Sequence, residues 1–198
     1  MPISPYSFAH WLRDSMPSVW KITERCNARY FRRRYAHRLN RIESEAFQMA
    51  EPFQMERIAD IPAAELVAFF HSQPDDIYQW FTPHSFETQD VITLQNNPSF
   101  IAYVLKQDGQ IVAYFFLRCF CNGTCYFGRM VDYRHRNQGI GKLINRVSFY
   151  MSEAMHWKSY QTISNNNIAS IKSCSGAYRL EPIGTASNGD VLYKNCEL

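Results

Sequence analysis

Apolar residues at steps of three and four run through the first quarter of the chain. Phe31, Tyr35, Leu39, Ile42, Ala46 and Met49 fall on one stripe, which predicts a helix over about 18–49, broken by Ala50-Glu51-Pro52. Residues 53–58 alternate like a short strand, and Ile61-Pro62 opens a helix carrying Leu66, Val67, Phe69 and Phe70. A second helix is expected from near Glu87 to Asn96-Asn97-Pro98. The texture then changes. Residues 100–106, 110–121 and 124–132 are rich in β-branched and aromatic positions, and Asp108-Gly109 and Asn122-Gly123 between them are type I′ hairpin signals, so a three-stranded meander follows. Beyond a loop at 133–141 the pattern predicts an amphipathic helix at 142–157, a strand at 160–164, a helix at 167–173 and strands at 182–185 and 191–195. The order implies an α/β (α+β) domain, a mixed and mostly antiparallel sheet flanked by helices, with a helical N-terminal extension.

The chain has 198 residues, 46% of them hydrophobic and 15% aromatic, with a net charge of +3. That is enough for a proper core and excludes a disordered chain. No apolar run reaches the ~20 residues of a membrane span. The N-terminal Met-Pro-Ile-Ser-Pro-Tyr has no apolar h-region, so no secretory leader and a cytoplasmic location are expected. Six cysteines in a chain of this size read as reduced thiols. Cys119, Cys121 and Cys125 lack zinc-site spacing, so no metal is expected, and Cys119 and Cys121 are placed on one strand face.

Charge divides the chain. Residues 1–50 hold nine Lys+Arg against four Asp+Glu, and residues 51–198 hold twelve against fourteen, which suggests a basic helical extension at 1–50 and a second domain at 51–198. Arg29, Arg32, Arg33, Arg34, Arg38 and Arg41 occupy much of the helix outside its stripe. Two readings stay open. The helix lies on a membrane surface or nucleic acid, or its stripe docks on the domain or a second subunit. Tyr and Ala make a weak inserting face, which favours docking; nucleic acid is not expected as a partner, and a homodimer remains an option.

The chemistry concentrates in Val131-Asp132-Tyr133-Arg134-His135-Arg136-Asn137-Gln138-Gly139-Ile140-Gly141-Lys142. A strand ends, two glycines make a tight turn, and a helix begins. Glycine admits close backbone approach, the helix N-terminus adds partial positive charge, and Arg134, Arg136 and Lys142 add full charges. Together they suit a pyrophosphate. The loop is neither a Walker A motif nor a dinucleotide fingerprint, since only Gly139-Ile140-Gly141 is present after a meander.

Residues 53–198 resemble the GCN5-related N-acetyltransferase (GNAT) family, and Arg136-Asn137-Gln138-Gly139-Ile140-Gly141 matches its Arg/Gln-x-x-Gly-x-Gly/Ala loop. The resemblance implies acetyl-CoA, or another acyl-CoA, as co-substrate. Its pyrophosphate would lie on the loop amides of residues 136–142, including Lys142, and its pantetheine arm along Met130 and Val131. The strand at 160–164 would splay away to leave a slot for the thioester. Asn167-Ile168-Ala169-Ser170 is similar to the family's Asn-x-x-Ser/Ala, so Asn167 would bond the pantetheine and Ser170 would sit near the pyrophosphate arm; from spacing alone Asn167 also reads as a helix N-cap.

The family often carries a Tyr four residues after that Ser, as acid for the leaving thiolate. Cys174 stands there, so either Tyr178 is recruited, or the thiolate leaves unaided, or acylation has been lost. A neutral attacking amine needs a proton acceptor, for which His84, Glu87 and Asp132 are candidates. His84 also reads as a packed helix-entry residue, and Asp132 as an ion-pair partner. The Trp80–Glu87 stretch is similar to acyltransferases of surface-polysaccharide biosynthesis. The function implied is N-acylation of a small amine, with a nucleotide-linked amino sugar as the first acceptor. A protein or peptide amine, or an inactive CoA-binding module using the Arg-rich helix, are the alternatives.

Overall fold

A computed structural model describes residues 15–186 and 188–198; the Met1–Tyr6 stretch read for a leader lies outside the described residues. Among the described residues, five α-helices and seven strands follow in chain order: α1 (Pro17–Met49), β1 (Gln54–Arg57), α2 (Ala63–His71), α3 (Thr88–Gln95), β2 (Phe100–Gln107), β3 (Gln110–Phe120), β4 (Thr124–Val131), α4 (Ile140–Ala154), β5 (Lys158–Ile163), α5 (Ile168–Cys174), β6 (Arg179–Thr185) and β7 (Val191–Cys196). The strands form one sheet in the order β1-β2-β3-β4-β5-β7-β6, antiparallel except for β4 with β5. This is the mixed, helix-flanked sheet expected from the pattern.

Alternation along the strands divides the core into two layers. Ile101, Tyr103 and Leu105 face α1 and α4, while Phe100, Ala102 and Val104 face α2 and α3. The first hairpin is the turn expected, with Asp108 and Gly109 both at positive φ. The second differs. Only Gly123 has positive φ, Gly123 N–H donates to the Phe120 carbonyl, and Phe120 pairs with Thr124, so three residues connect the strands through a type I turn. Asn122 holds it by accepting from the Thr124 backbone and hydroxyl. Cys121 therefore falls in the turn and is exposed, off the strand face where Cys119 pairs with Cys125 in the core.

The stripe of α1 is docked. Phe31, Leu39, Ile42 and Ala46 are buried in the main core, and Phe31 and Tyr35 pack against Trp157 with ring centroids 5.5 and 5.4 Å away. At ~2 kcal/mol for each large apolar side chain, the three largest contribute an amount comparable to the net stability of a whole domain. Polar ties fix its register: Asn27 donates to the Cys119 carbonyl at 2.9 Å and accepts from the Cys121 N–H at 2.7 Å. Buried Glu43 accepts from Arg57 of β1 and Tyr103 of β2. Among the described residues, no helix is long and apolar enough to cross a membrane.

Candidate functional site

The strand-to-helix loop is held from beneath by Asp132. Its carboxylate is fully buried and accepts from the Arg134 N–H at 2.9 Å, from Arg134 Nε and Nη2 at 3.0 Å, from Gln73 Nε2 at 3.0 Å and from His135 Nδ1 at 3.1 Å. Burial would raise its pKa, but these donors outweigh it and hold the carboxyl well below the usual carboxylate range. The chain then turns over two left-handed residues, Asn137 (φ 61°) and Gly139 (φ 81°), into α4. Leu143 N–H is bonded to the Gly139 carbonyl, so the N–H groups of Ile140, Gly141 and Lys142 precede the first intrahelical bond and point out of the helix end. A Cβ on Gly139 would meet nothing within 4 Å, which leaves open space in front of these donors.

Beside this helix end the sheet opens. β4 and β5 pair only over Thr124–Tyr126 and Lys158–Tyr160, and beyond that point they separate around a cleft of about 560 Å³. Asp132 N–H bonds to Val112 on β3, so by antiparallel alternation Arg129 and Val131 turn their backbone groups toward the gap. Trp80 and Phe81 form one wall. Gly128 permits that wall, since a Cβ there would come within 2.9 Å of the Phe116 ring and 3.1 Å of Phe81. Arg129 crosses the gap to α5, where its guanidinium donates to Ser173 Oγ at 2.6 Å, Ser170 Oγ at 3.1 Å and the Ser170 carbonyl at 3.2 Å.

A parallel strand pair that splays beside a glycine-turned helix N-terminus is what the resemblance led one to expect, and solved structures share the fold. The GNAT domain of S. lividans PAT matches with a TM-score of 0.61 at 13% identity, covering 72% of this chain and 89% of that one. The chain has the GNAT fold. AAC(6')-Ib in complex with paromomycin and acetyl-CoA matches with a TM-score of 0.56 at 16% identity, over 73% of this chain and 93% of that one. A Vibrio cholerae structure described as a ribosomal-protein-serine acetyltransferase matches at 0.54 and 15% identity, over 73% and 93%. No family model matches the sequence, and neither does any curated protein.

Within this GNAT fold, the cleft is lined by every residue the sequence assigned to the cofactor except Gln138: Met130, Val131, Arg136, Asn137, Gly139, Ile140, Gly141, Lys142, Asn167 and Ser170. Asn167 also caps α5, its side chain accepting from the Ser170 N–H at 3.0 Å, as the N-cap reading expects. Of the four candidates for proton transfer, Glu87 is exposed just before α3, and the other three also lie away from the cleft. His84 is packed among Phe70, Phe86, Phe100 and Phe116, with Nε2 2.9 Å from the Tyr114 hydroxyl and Nδ1 2.7 Å from the Ser85 carbonyl. Burial lowers its pKa, opposed by the Ser85 bond, so the neutral ring is favoured. Asp132 has its oxygens occupied by the loop. Tyr178 is buried, donates to Asn145 Oδ1 at 3.0 Å, accepts from Gln161 Nε2 at 2.9 Å and lies 3.4 Å from Cys174 Sγ. Burial pushes its phenol above the ordinary range, opposed by the charge of Arg129. None of the three lines the cleft.

Several residues that do line it carried no local signal. Arg129 and Gln161 lie inside strands that read simply as strands. Asp76 pairs with Arg136 at 3.6 Å across the mouth. Lys142 lies along Gly176, where an added Cβ would come within 3.0 Å of Nζ.

Proposed function

We propose that the protein is an acetyl-CoA-dependent N-acyltransferase acting on a small amine. The observation that carries the reading is the junction of two features at one cleft: free N–H groups at the start of α4, and unpaired β4 edge beside a splayed β5. A pyrophosphate on the loop of residues 136–142 would gain backbone donors, the helix dipole and the charges of Arg136 and Lys142. The pantetheine arm would then run along Met130 and Val131, with Asn167 and Ser170 on the opposite side. The S. lividans and AAC(6')-Ib structures support this assignment, the second because it holds acetyl-CoA.

In the reaction the acceptor nitrogen forms a bond to the thioester carbonyl carbon, the carbon–sulfur bond breaks, and the nitrogen gives up its proton. The Val131 and Arg129 N–H groups polarise the carbonyl oxygen. The leaving thiolate is stabilised by the Arg129 guanidinium, which takes the place of a phenolic acid. His84, Asp132 and Tyr178 then act by holding the walls rather than by touching the reacting atoms, and the amine proton passes to solvent. The acceptor proposed is a nucleotide-linked amino sugar, supported by the exposed Trp80 and by Phe81 as a ring platform beside a cationic mouth. In this reading residues 51–198 form the acyltransferase domain, and the 1–50 extension buttresses it through α1. A protein amine is the second reading, which the Vibrio cholerae neighbour favours.

The test is a thermal-shift titration with acetyl-CoA of the parent beside Gly139→Glu. At ~100 times the dissociation constant the parent should gain about 2.7 kcal/mol, and the variant nothing. Absence of any shift in the folded parent would overturn the proposal. With binding established, a screen that starts from nucleotide-linked amino sugars and includes basic peptides decides the acceptor.

A further inference from the structure

The sequence set docking of α1 against polyanion binding as alternatives, but the structure puts the docked apolar stripe and the arginines on opposite faces of the helix. Phe31, Leu39, Ile42 and Ala46 are consumed by the core, while Arg25, Arg29, Arg33, His37 and Arg41, one at every fourth position, are all exposed. At 1.5 Å per residue that row is about 24 Å long. Arg32, Arg34 and Arg38 flank it and are exposed too. Among the described residues none of these arginines forms an ion pair. The described acids of α1 are all engaged with the body: Glu24 with Arg118, Glu43 with Arg57 and Tyr103, Glu45 with Tyr150. The outer face therefore carries positive charge with no counterion among the described residues.

We infer that this outer face of α1 is a docking surface for a single-stranded polynucleotide. Seven of the eight Lys and Arg residues described on α1 are Arg, whose planar fork bonds phosphate oxygens bidentately where Lys offers a point charge. Tyr30 stands exposed one turn before Arg33 and Arg34, a combination of aromatic face and guanidinium suited to stacking on unpaired bases. A membrane surface fits less well, because the apolar stripe that would enter the bilayer is buried against the sheet.

The test is fluorescence anisotropy of the full chain with labelled 20-nucleotide single strands of RNA and of DNA between 50 and 200 mM salt, beside anionic phosphatidylserine vesicles. The parent should bind both oligonucleotides, or prefer one if the sugar is read, with affinity falling steeply as salt rises. Arg29→Glu/Arg33→Glu/Arg41→Glu should bind at least tenfold more weakly, with a log–log salt slope shallower by about 2, the value for three lost contacts to a single strand. The charge-neutral Arg29→Gln/Arg33→Gln/Arg41→Gln should show an intermediate loss. Matching melting curves would certify folding, since all three positions are on the surface. Arg179→Glu, exposed on β6 at the far edge of the sheet, should bind like the parent. The proposal is overturned if neither strand binds at 50 mM salt, if Arg179→Glu loses as much affinity as the α1 variants, or if only the vesicles bind.

Discussion

At one end of the cleft the chain presents backbone N–H groups that make no bond among the described residues; at the other, side chains have used up one another's hydrogen-bonding capacity. The mouth is made of the Ile140, Gly141 and Lys142 N–H groups behind a glycine with open space around it. The floor is a buried knot in which Gln161 donates to Tyr178 and to Asn195 Oδ1 at 2.7 Å, and Asn145 donates to the Ser173 carbonyl at 2.7 Å. Arg129 joins the two, reaching Gln161 Oε1 at 3.4 Å while lining the gap. The difference is one of polar accounting. Unused donors cost little where water or a ligand can meet them, and they are costly where neither can. The mouth can therefore remain open to a ligand, while the floor must be complete before the fold is stable.

The knot should consequently break hardest. Gln161→Leu leaves Asn195 Oδ1 and the Tyr178 hydroxyl short of a donor in a buried site, and about 3 kcal/mol should be lost in denaturant unfolding. A loss below ~1 kcal/mol would mean that water or the Arg129 side chain repairs the network. Asp132→Asn follows at about 2 kcal/mol, because the loop loses its charge-assisted bonds while Arg134, half exposed, can hydrate. Its signature is in pH. The folded carboxyl is held low, so its contribution is complete above the unfolded value of about 4 and is lost as pH falls below that. The acid limb of the parent's stability curve should be correspondingly shallower in the variant.

His84→Phe should cost roughly 1.5 kcal/mol by leaving the buried Tyr114 hydroxyl without its acceptor. Here the sign is that of a base kept neutral. The unfolded imidazole takes a proton below about pH 6.5 and the folded one resists, so parent stability is full above that pH and declines beneath it. The Phe variant should lack that decline. If instead it folds normally but loses turnover alone, His84 belongs to the chemistry after all.

The same contrast explains what could be read in advance. The mouth is a local object: a strand end, Arg136, two glycines and a helix start lie within a dozen residues, and the left-handed φ at Gly139 is what such a turn requires. Periodicity likewise located α1, the meander and α4, because each buries a stripe or a face. The knot is drawn from α4, β5, α5, β7 and the segment before β6, and no spacing in the chain announces that Gln161, Asn145 and Tyr178 meet. Arg129 was hidden for a similar reason, since a charged residue in a strand reads as solvent-facing until the next strand is seen to leave. The second hairpin shows a subtler limit: Asn-Gly names a turn, but register decided that three residues rather than two would form it.

The smallest expected effect lies at the mouth. Asp76 and Arg136 face each other at 3.6 Å with side chains 60% and 43% exposed, so removing the pair should change stability by less than ~0.5 kcal/mol. For an anionic ligand the same carboxylate is a repulsive neighbour. At a separation of about 8 Å in water-like surroundings that repulsion is worth about 0.5 kcal/mol, so Asp76→Asn should tighten acetyl-CoA binding about twofold. The gain should fade at ~1 M salt, where screening shortens to about 3 Å. Weaker binding in the variant would reverse the interpretation, since it would mean that Asp76 holds Arg136 in place for the pyrophosphate, and that the mouth too depends on a side-chain contact.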